Sequence, residues 1–171
     1  SENDLNQVAS DNGVVPYYGA KMIKGPGFNY YSDYFLSEQL FTVRPYSKFS
    51  YAIYIPNPTS GADAAGVQPF LSSPGNLIDP SLINIKDQNN IAFSTIYNWC
   101  CYPVDLPSLE GRATNKWYER VFDLSDYAGW YMDQFHFITM SGDLSIFPTF
   151  YVDKIKVSWP ADGNAVEKTQ A

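Results

Sequence analysis

The sequence predicts an all-β fold, an antiparallel β-sandwich of jelly-roll type, and three observations predict it. Apolar residues recur with period two through most of the chain, while stretches with helical period are scarce. The alternating stretches are rich in β-branched and aromatic residues, the types that suit a pleated, half-buried surface. Between them lie connections punctuated by Pro and Gly, of which there are 12 and 11. Short strands separated by turn signals form a sandwich or jelly roll more readily than any α/β arrangement.

In chain order, Tyr34–Val43 (YFLSEQLFTV) reads as a strand that leads through Arg44-Pro45-Tyr46-Ser47 into the best one, Phe49–Ile55 (FSYAIYI). The turn signal Pro56-Asn57-Pro58 ends it. Residues 56–80 read as a long connection poor in charge. Ile91–Trp99 alternates Phe93, Thr95, Tyr97 and Trp99 against Ala92, Ser94, Ile96 and Asn98, and 103–114 reads as another connection. Lys116–Leu124, Tyr131–Met140 and Thr149–Trp159 are further strands, with one helical turn at Ser125–Gly129 capped by Ser125. The polar ends, 1–12 and 161–171, read as tails or linkers around a single sandwich at 13–160.

A chain of 171 residues buries roughly 70% of its unfolded surface, enough for one core without a disulfide or metal. Aromatics make up 17% of residues, which rules out disorder, because disordered chains lack the apolar area to offset chain entropy. The net charge of −7 with scattered cations argues against nucleic acid. It also argues against a membrane-surface helix, and no apolar run nears the roughly 20 residues that cross a bilayer. A neutral partner and a secreted, extracellular setting fit better. The chain starts at Ser1 without an apolar leader, so the expectation is a targeting signal already removed, or a piece of something longer.

The cysteines, Cys100 and Cys101, are adjacent and cannot staple distant strands. Two buried thiols are one expectation and a vicinal disulfide stiffening the turn is the other, the latter requiring an oxidising compartment.

Beyond these patterns, the run Trp117-Tyr118-Glu119-Arg120-Val121-Phe122-Asp123-Leu124 is followed by Ser125-Asp126-Tyr127-Ala128-Gly129. Then come Met132-Asp133-Gln134-Phe135-His136-Phe137 and finally Phe150-Tyr151-Val152-Asp153-Lys154-Ile155-Lys156-Val157. With Thr42-Val43-Arg44-Pro45 before FSYAIYI, this resembles the jelly-roll carbohydrate-binding modules carried by secreted bacterial glycoside hydrolases. The resemblance implies noncatalytic binding of a polysaccharide such as a plant cell-wall glycan. It also implies a monomeric module of a multimodular enzyme. In such modules the Asp matching Asp153 commonly coordinates a structural calcium, so Asp153 is the one metal candidate; a backbone hydrogen bond or ion pair at the sheet edge is the alternative.

Sugar binding needs flat apolar rings against pyranose C–H faces and planar polar groups for the hydroxyls. Tyr97 and Trp99 share one face and span roughly 7 Å, with Tyr102 nearby, which makes them a candidate platform. In the alternative they are core and Asn98 faces out. Tyr54 and Tyr51 lie on opposite faces, so one of them points away from the core. Tyr30 and Tyr31 sit in a polar, Tyr-rich stretch that suits a binding rim or an ordinary loop anchor. Arg112 suits bidentate hydrogen bonds to a sugar or a pair with Glu110. Gln134 and His136 share the face opposite Phe135 and Phe137, so if the Phe pair is core, they face out. Trp117 is expected to pack, and Trp130 either to be exposed or to cap the sandwich. Each stacking contact contributes about 0.5–1.5 kcal/mol. Two or three stacks with hydrogen bonds reach about −5 to −7 kcal/mol, or micromolar to sub-millimolar affinity.

An enzyme is disfavoured. Two of the glutamates, Glu2 and Glu167, lie in the expected tails, and nothing marks Glu119 and Asp133 as a glycosidase pair. A single His cannot build a metal-hydrolase site. Gln134-Phe135-His136 does resemble the Gln-x-His strand of jelly-roll alginate lyases, where Gln neutralises the uronate and His acts as base. The rest of that signature is missing, and Tyr151-Val152-Asp153-Lys154 stands where Tyr-Phe-Lys-x-Gly would be.

Overall fold

In the strand Lys48–Tyr54, Phe49, Tyr51 and Ile53 are fully buried on one face, and small Ser50 and Ala52 lie on the other. That alternation is the plan of the whole molecule. The computed structural model describes residues 6–26, 31–56, 64–73, 76–77, 85–91, 93, 102–103, 115–140, 149–161 and 164–170, several strand residues by backbone alone.

Within them lie β1 (Asn6–Val8), β2 (Met22–Pro26), β3 (Tyr31–Thr42), β4 (Lys48–Tyr54), β5 (Ala64–Ser73) and β6 (Asn76–Leu77). After these come β7 (Tyr102–Pro103), β8 (Trp117–Asp123), β9 (Tyr131–Met140), β10 (Thr149–Ala161) and β11 (Asn164–Gln170). A six-stranded sheet runs β1-β2-β10-β4-β8, with β11 also pairing β10, and a five-stranded sheet runs β3-β9-β5-β6, with β7 also pairing β5. All pairings are antiparallel. From β2 to β5 and again from β8 to β10, successive strands alternate between the sheets, as in a jelly roll. The chain is an all-β sandwich, and no α-helix occurs among the described residues.

The core lies between the sheets and is largely aromatic. Phe49 sits 6.2 Å from Phe122, 5.8 Å from Tyr51 and 6.0 Å from Phe135, so one ring ties β4 to β8 and to the opposite sheet. Gly25 of β2 lies against Phe137 of β9, where a Cβ would collide with the ring, so the close approach of the two sheets there requires glycine. Trp130 packs half-buried at the margin, edge-on to Tyr127 at 4.8 Å.

Four features differ from the sequence expectation. The supposed connection at 56–80 contains β5, a central strand of its sheet. Small Ala64-Ala65-Gly66 and Pro69 conceal it, and Pro69 is tolerated because the register shifts between Pro69 and Leu71. Both supposed tails carry paired strands, β1 on β2 and β11 on β10. The faces of β10 switch at a bulge between Asp153 and Lys156, where Lys154 adopts φ +50°. Tyr151 and Asp153 therefore face away from the core, while Ile155 and Val157 join it. Finally, the 3₁₀ turn Ser125–Tyr127 is held by Asp123, whose carboxylate accepts from the Ser125 N–H at 2.9 Å and from its hydroxyl.

The outer edge of β8 is closed by a neighbouring segment. Asp87 bridges Phe122, and the Gln88 amide spans the edge beside it. Gln88 Oε1 accepts from Val121 N–H at 2.8 Å, while Nε2 donates to the Glu119 carbonyl.

Candidate functional site

The alternation of β9 puts Phe135 and Phe137 into the core, so Gln134 and His136 stand on the outer face of the five-stranded sheet, as the sequence predicted. Gln68 of β5 lies directly opposite His136 in register. Because Val67 and Leu71 point into the core, Gln68 and Phe70 share the outer face with His136. The Phe70 ring lies 4.7 Å from the imidazole, and His136 Nε2 lies 3.3 Å from Gln134 Oε1. The tautomer protonated at Nε2 donates to that carbonyl.

Gln68 is the unusual member. It is 0% exposed, yet neither its Oε1 nor its Nε2 has a hydrogen-bond partner. A buried amide left unsatisfied costs about 1–3 kcal/mol. The arrangement therefore combines a planar amide with unused donor and acceptor capacity, a second amide, an imidazole and an aromatic face, all on two paired strands.

Of the other predicted ligand residues, Tyr31 lies in β3 opposite Met140, and Tyr102 lies in β7 opposite Ala65 of β5; their side chains are outside the description. Register thus brings Tyr102 to the strand that carries Gln68. Tyr30, Tyr97, Trp99 and Arg112 lie outside the described residues, as do Cys100 and Cys101.

Tyr54 does face away from the core, on the outer side of the six-stranded sheet, but it is half-buried there. Its ring sits 5.5 Å from Trp117 and 6.2 Å from Tyr151, beneath the segment 9–21 that connects β1 and β2. This strap packs its Val14 against Met22 and Tyr151 and is fastened at several points. An Asn12-Gly13 turn (φ +47° and +81°) closes Asp11 against Val14. Asp11 accepts from the Tyr151 hydroxyl at 2.6 Å and pairs with Lys24 at 2.8 Å. Trp117 Nε1–H donates to the Val15 carbonyl at 2.9 Å.

Asp153 belongs to the same fastening. Its Oδ2 accepts the Tyr18 N–H at 2.9 Å and its Oδ1 the Lys154 N–H at 2.7 Å, on a side chain that is almost wholly buried. Calcium asks for six to eight oxygen ligands. The described residues contain no group of three or more His, Cys, Asp or Glu that could hold a metal, and Asp153 offers one carboxylate already bonded by two amides. Among the described residues this set does not make up a calcium site.

Glu119 pairs with Lys154 at 3.3 Å rather than with a second carboxylate. A fully buried charge is one the sequence did not mark: Arg120, 0% exposed on the inner face of β8. Its Nε donates to Asp87 Oδ2 at 3.1 Å, and Nη1 reaches Tyr51 Oη at 3.2 Å and the Phe93 carbonyl at 3.3 Å. The guanidinium lies 4.8 Å over Phe122. Tyr118 donates to the same Asp87 at 3.0 Å, and its phenol, pushed up to about 12 chiefly by burial, keeps its proton at neutral pH. This network fastens the 85–93 segment to β8 and is enclosed by the core.

Sequence reasoning also missed Gln68 and Phe70. The signal was there, since Ala65, Val67 and Leu71 keep period two around Gln68, but Pro69 masked it.

No protein-family model matches the chain, and neither does any curated protein. Among solved structures, one similar chain is a glycoside hydrolase domain, Endo-D from Streptococcus pneumoniae, at 15% identity and TM-score 0.49. The match covers 81% of this chain and 18% of that one. Another is a carbohydrate-binding module described among those of the β-sandwich superfamily, at 16% identity and TM-score 0.49, covering 89% of this chain and 51% of that one. This chain thus spans a fraction of each, and at such identities neither says what it binds.

Proposed function

We propose that the chain is a noncatalytic polysaccharide-binding domain whose ligand lies on the outer face of the five-stranded sheet. The observation that carries this reading is the half-buried group of His136, Gln134 and Phe70 on that face, beside Gln68, a buried amide with both polar atoms unpartnered. A sugar suits this face. Its vicinal hydroxyls donate to and accept from a planar amide at once, and its C–H face suits an aromatic ring. Such a domain holds an attached, secreted enzyme to its substrate, where modest affinity suffices because tethering raises the effective concentration. The attachment rests on the resemblance of β8, β9 and β10 to modules of secreted glycoside hydrolases.

Affinity electrophoresis through gels containing soluble glucan, xylan, mannan or pectin tests the proposal. Retardation is expected in at least one gel and is expected to be weakened in His136→Ala with the circular dichroism spectrum unchanged. No retardation in any gel sinks it.

The contact between Gln134 and His136 favours one other reading, a lyase acting on uronate polymers. It predicts unsaturated products absorbing in the ultraviolet. Binding without such products rules it out.

A further inference from the structure

The strap that covers the six-stranded sheet ends in a short run of exposed apolar residues. Val15 is 60% exposed, Tyr17 40% and Tyr18 63%, although the backbone between them is pinned at the Val15 carbonyl by Trp117 and at the Tyr18 N–H by Asp153. The two rings also share one cation. Lys154 Nζ lies 5.5 Å from the Tyr17 centroid and 5.8 Å from that of Tyr18. The same ammonium pairs with Glu119 Oε1 at 3.3 Å, and the Tyr17 hydroxyl donates to Glu119 Oε2 at 3.0 Å. Tyr17 in turn packs 5.9 Å from Trp117. Lys154 reaches this position because the bulge in β10 sets its backbone at φ +50°.

Tyrosines that merely sealed the strap would turn their rings inward, as Tyr54 and Tyr151 do beneath it. Here the apolar faces point to solvent while the backbone is held, so binding to them costs little ordering entropy. We propose that Tyr17, Tyr18, Lys154 and Glu119 form a second carbohydrate-binding site. It lies on the opposite side of the sandwich from the Gln68 and His136 face, because each occupies the outer face of a different sheet. A pyranose ring stacks on Tyr18, with its hydroxyls donating to the Glu119 carboxylate and accepting from the Lys154 ammonium. The ligand class is a neutral glycan. Nucleic acid and anionic polymers meet a chain of net charge −7 and carboxylates at the site itself.

The choice of a sugar rests on the function proposed above, so the test separates the two. Gel retardation is measured for the native chain, Tyr18→Ala, His136→Ala and the double variant in the glycan gels already named. Calorimetric titration of the same proteins uses a short oligosaccharide of the retarding glycan, too short to span the molecule. The expected stoichiometry is two equivalents for the native chain and one for each single variant, with none for the double variant. On long chains each single variant is expected to lose at least about tenfold in apparent affinity, since two linked sites reinforce one another by 10² or more. If the native chain binds one equivalent and Tyr18→Ala binds as tightly, the second site is wrong and the first stands. Binding lost in Tyr18→Ala but kept in His136→Ala overturns the first site and retains this one. No retardation of the native chain overturns both.

Discussion

Gln68 and Arg120 are both polar side chains at 0% exposure, and they illustrate opposite uses of burial. Arg120 is satisfied on every side, by Asp87, Tyr51 and backbone carbonyls. Breaking such a pair leaves an uncompensated buried charge, at a cost of about 3–5 kcal/mol. Asp87→Ala is expected to lose about that much stability in urea denaturation. An apolar partner change, Asp87→Ala with Arg120→Leu, is expected to recover part of it. Gln68 is the reverse. Replacing its unsatisfied amide by an isosteric apolar side chain removes a penalty, so Gln68→Met is expected to raise stability by about 1 kcal/mol while weakening glycan retention. A loss of stability in that variant shows instead that Gln68 is a structural residue. Sequence alternation assigned Gln134 and His136 to the outer face because a clean Phe-x-Phe lies between them. It could not assign Arg120, whose partner Asp87 lies 33 residues earlier, or Gln68, whose strand is broken by Pro69.

Among the elements, the strap over the six-stranded sheet is the one that sequence patterns could not supply, since it has no period and lies on the face normally given to solvent. It is held in part by charge. The hydrogen bond from Lys24 and then that from Tyr151 hold the Asp11 carboxyl below its ordinary value of 3.8. A carboxyl depressed in the folded state contributes stability that is present above its unfolded value and lost as pH falls through the folded one. Acidification below about 3.8 is therefore expected to loosen the strap before the sandwich unfolds. Amide exchange at Asp11 and Val14, which bond one another across the Asn12-Gly13 turn, reads this directly. Protection is expected to fall with acid in the native chain, and in Asp11→Asn to be weaker throughout and nearly independent of pH. The strands with strong aromatic alternation, β4 and β9, were legible almost to the residue. The strands built from small residues, or paired only through distant partners, were not: β1, β2, β5 and β11 carry too little apolar signal of their own.

At the scale of the molecule, the sandwich was legible from its aromatic alternation, and its two outer faces became distinguishable only with the register. One is a sheet face with an orphaned amide, the other a face covered by a strap that presents tyrosine rings. A β-sandwich in water must also avoid adding strands from its neighbours, because an open edge offers a row of unpaired N–H and C=O groups. At the outer edge of β8 the side chain of Gln88 fills that role, taking the Val121 N–H and the Glu119 carbonyl. Its primary amide presents the same donor and acceptor as a peptide group, so it works as a one-residue imitation strand that cannot be extended. At this edge, protection against strand addition thus rests on a side chain that contributes little to the core. Gln88→Ala is expected to leave the melting temperature nearly unchanged while light scattering shows self-association that grows with protein concentration. On the function proposed above, copies would crowd along a polysaccharide, and at this edge a single amide keeps their encounters from becoming a shared sheet.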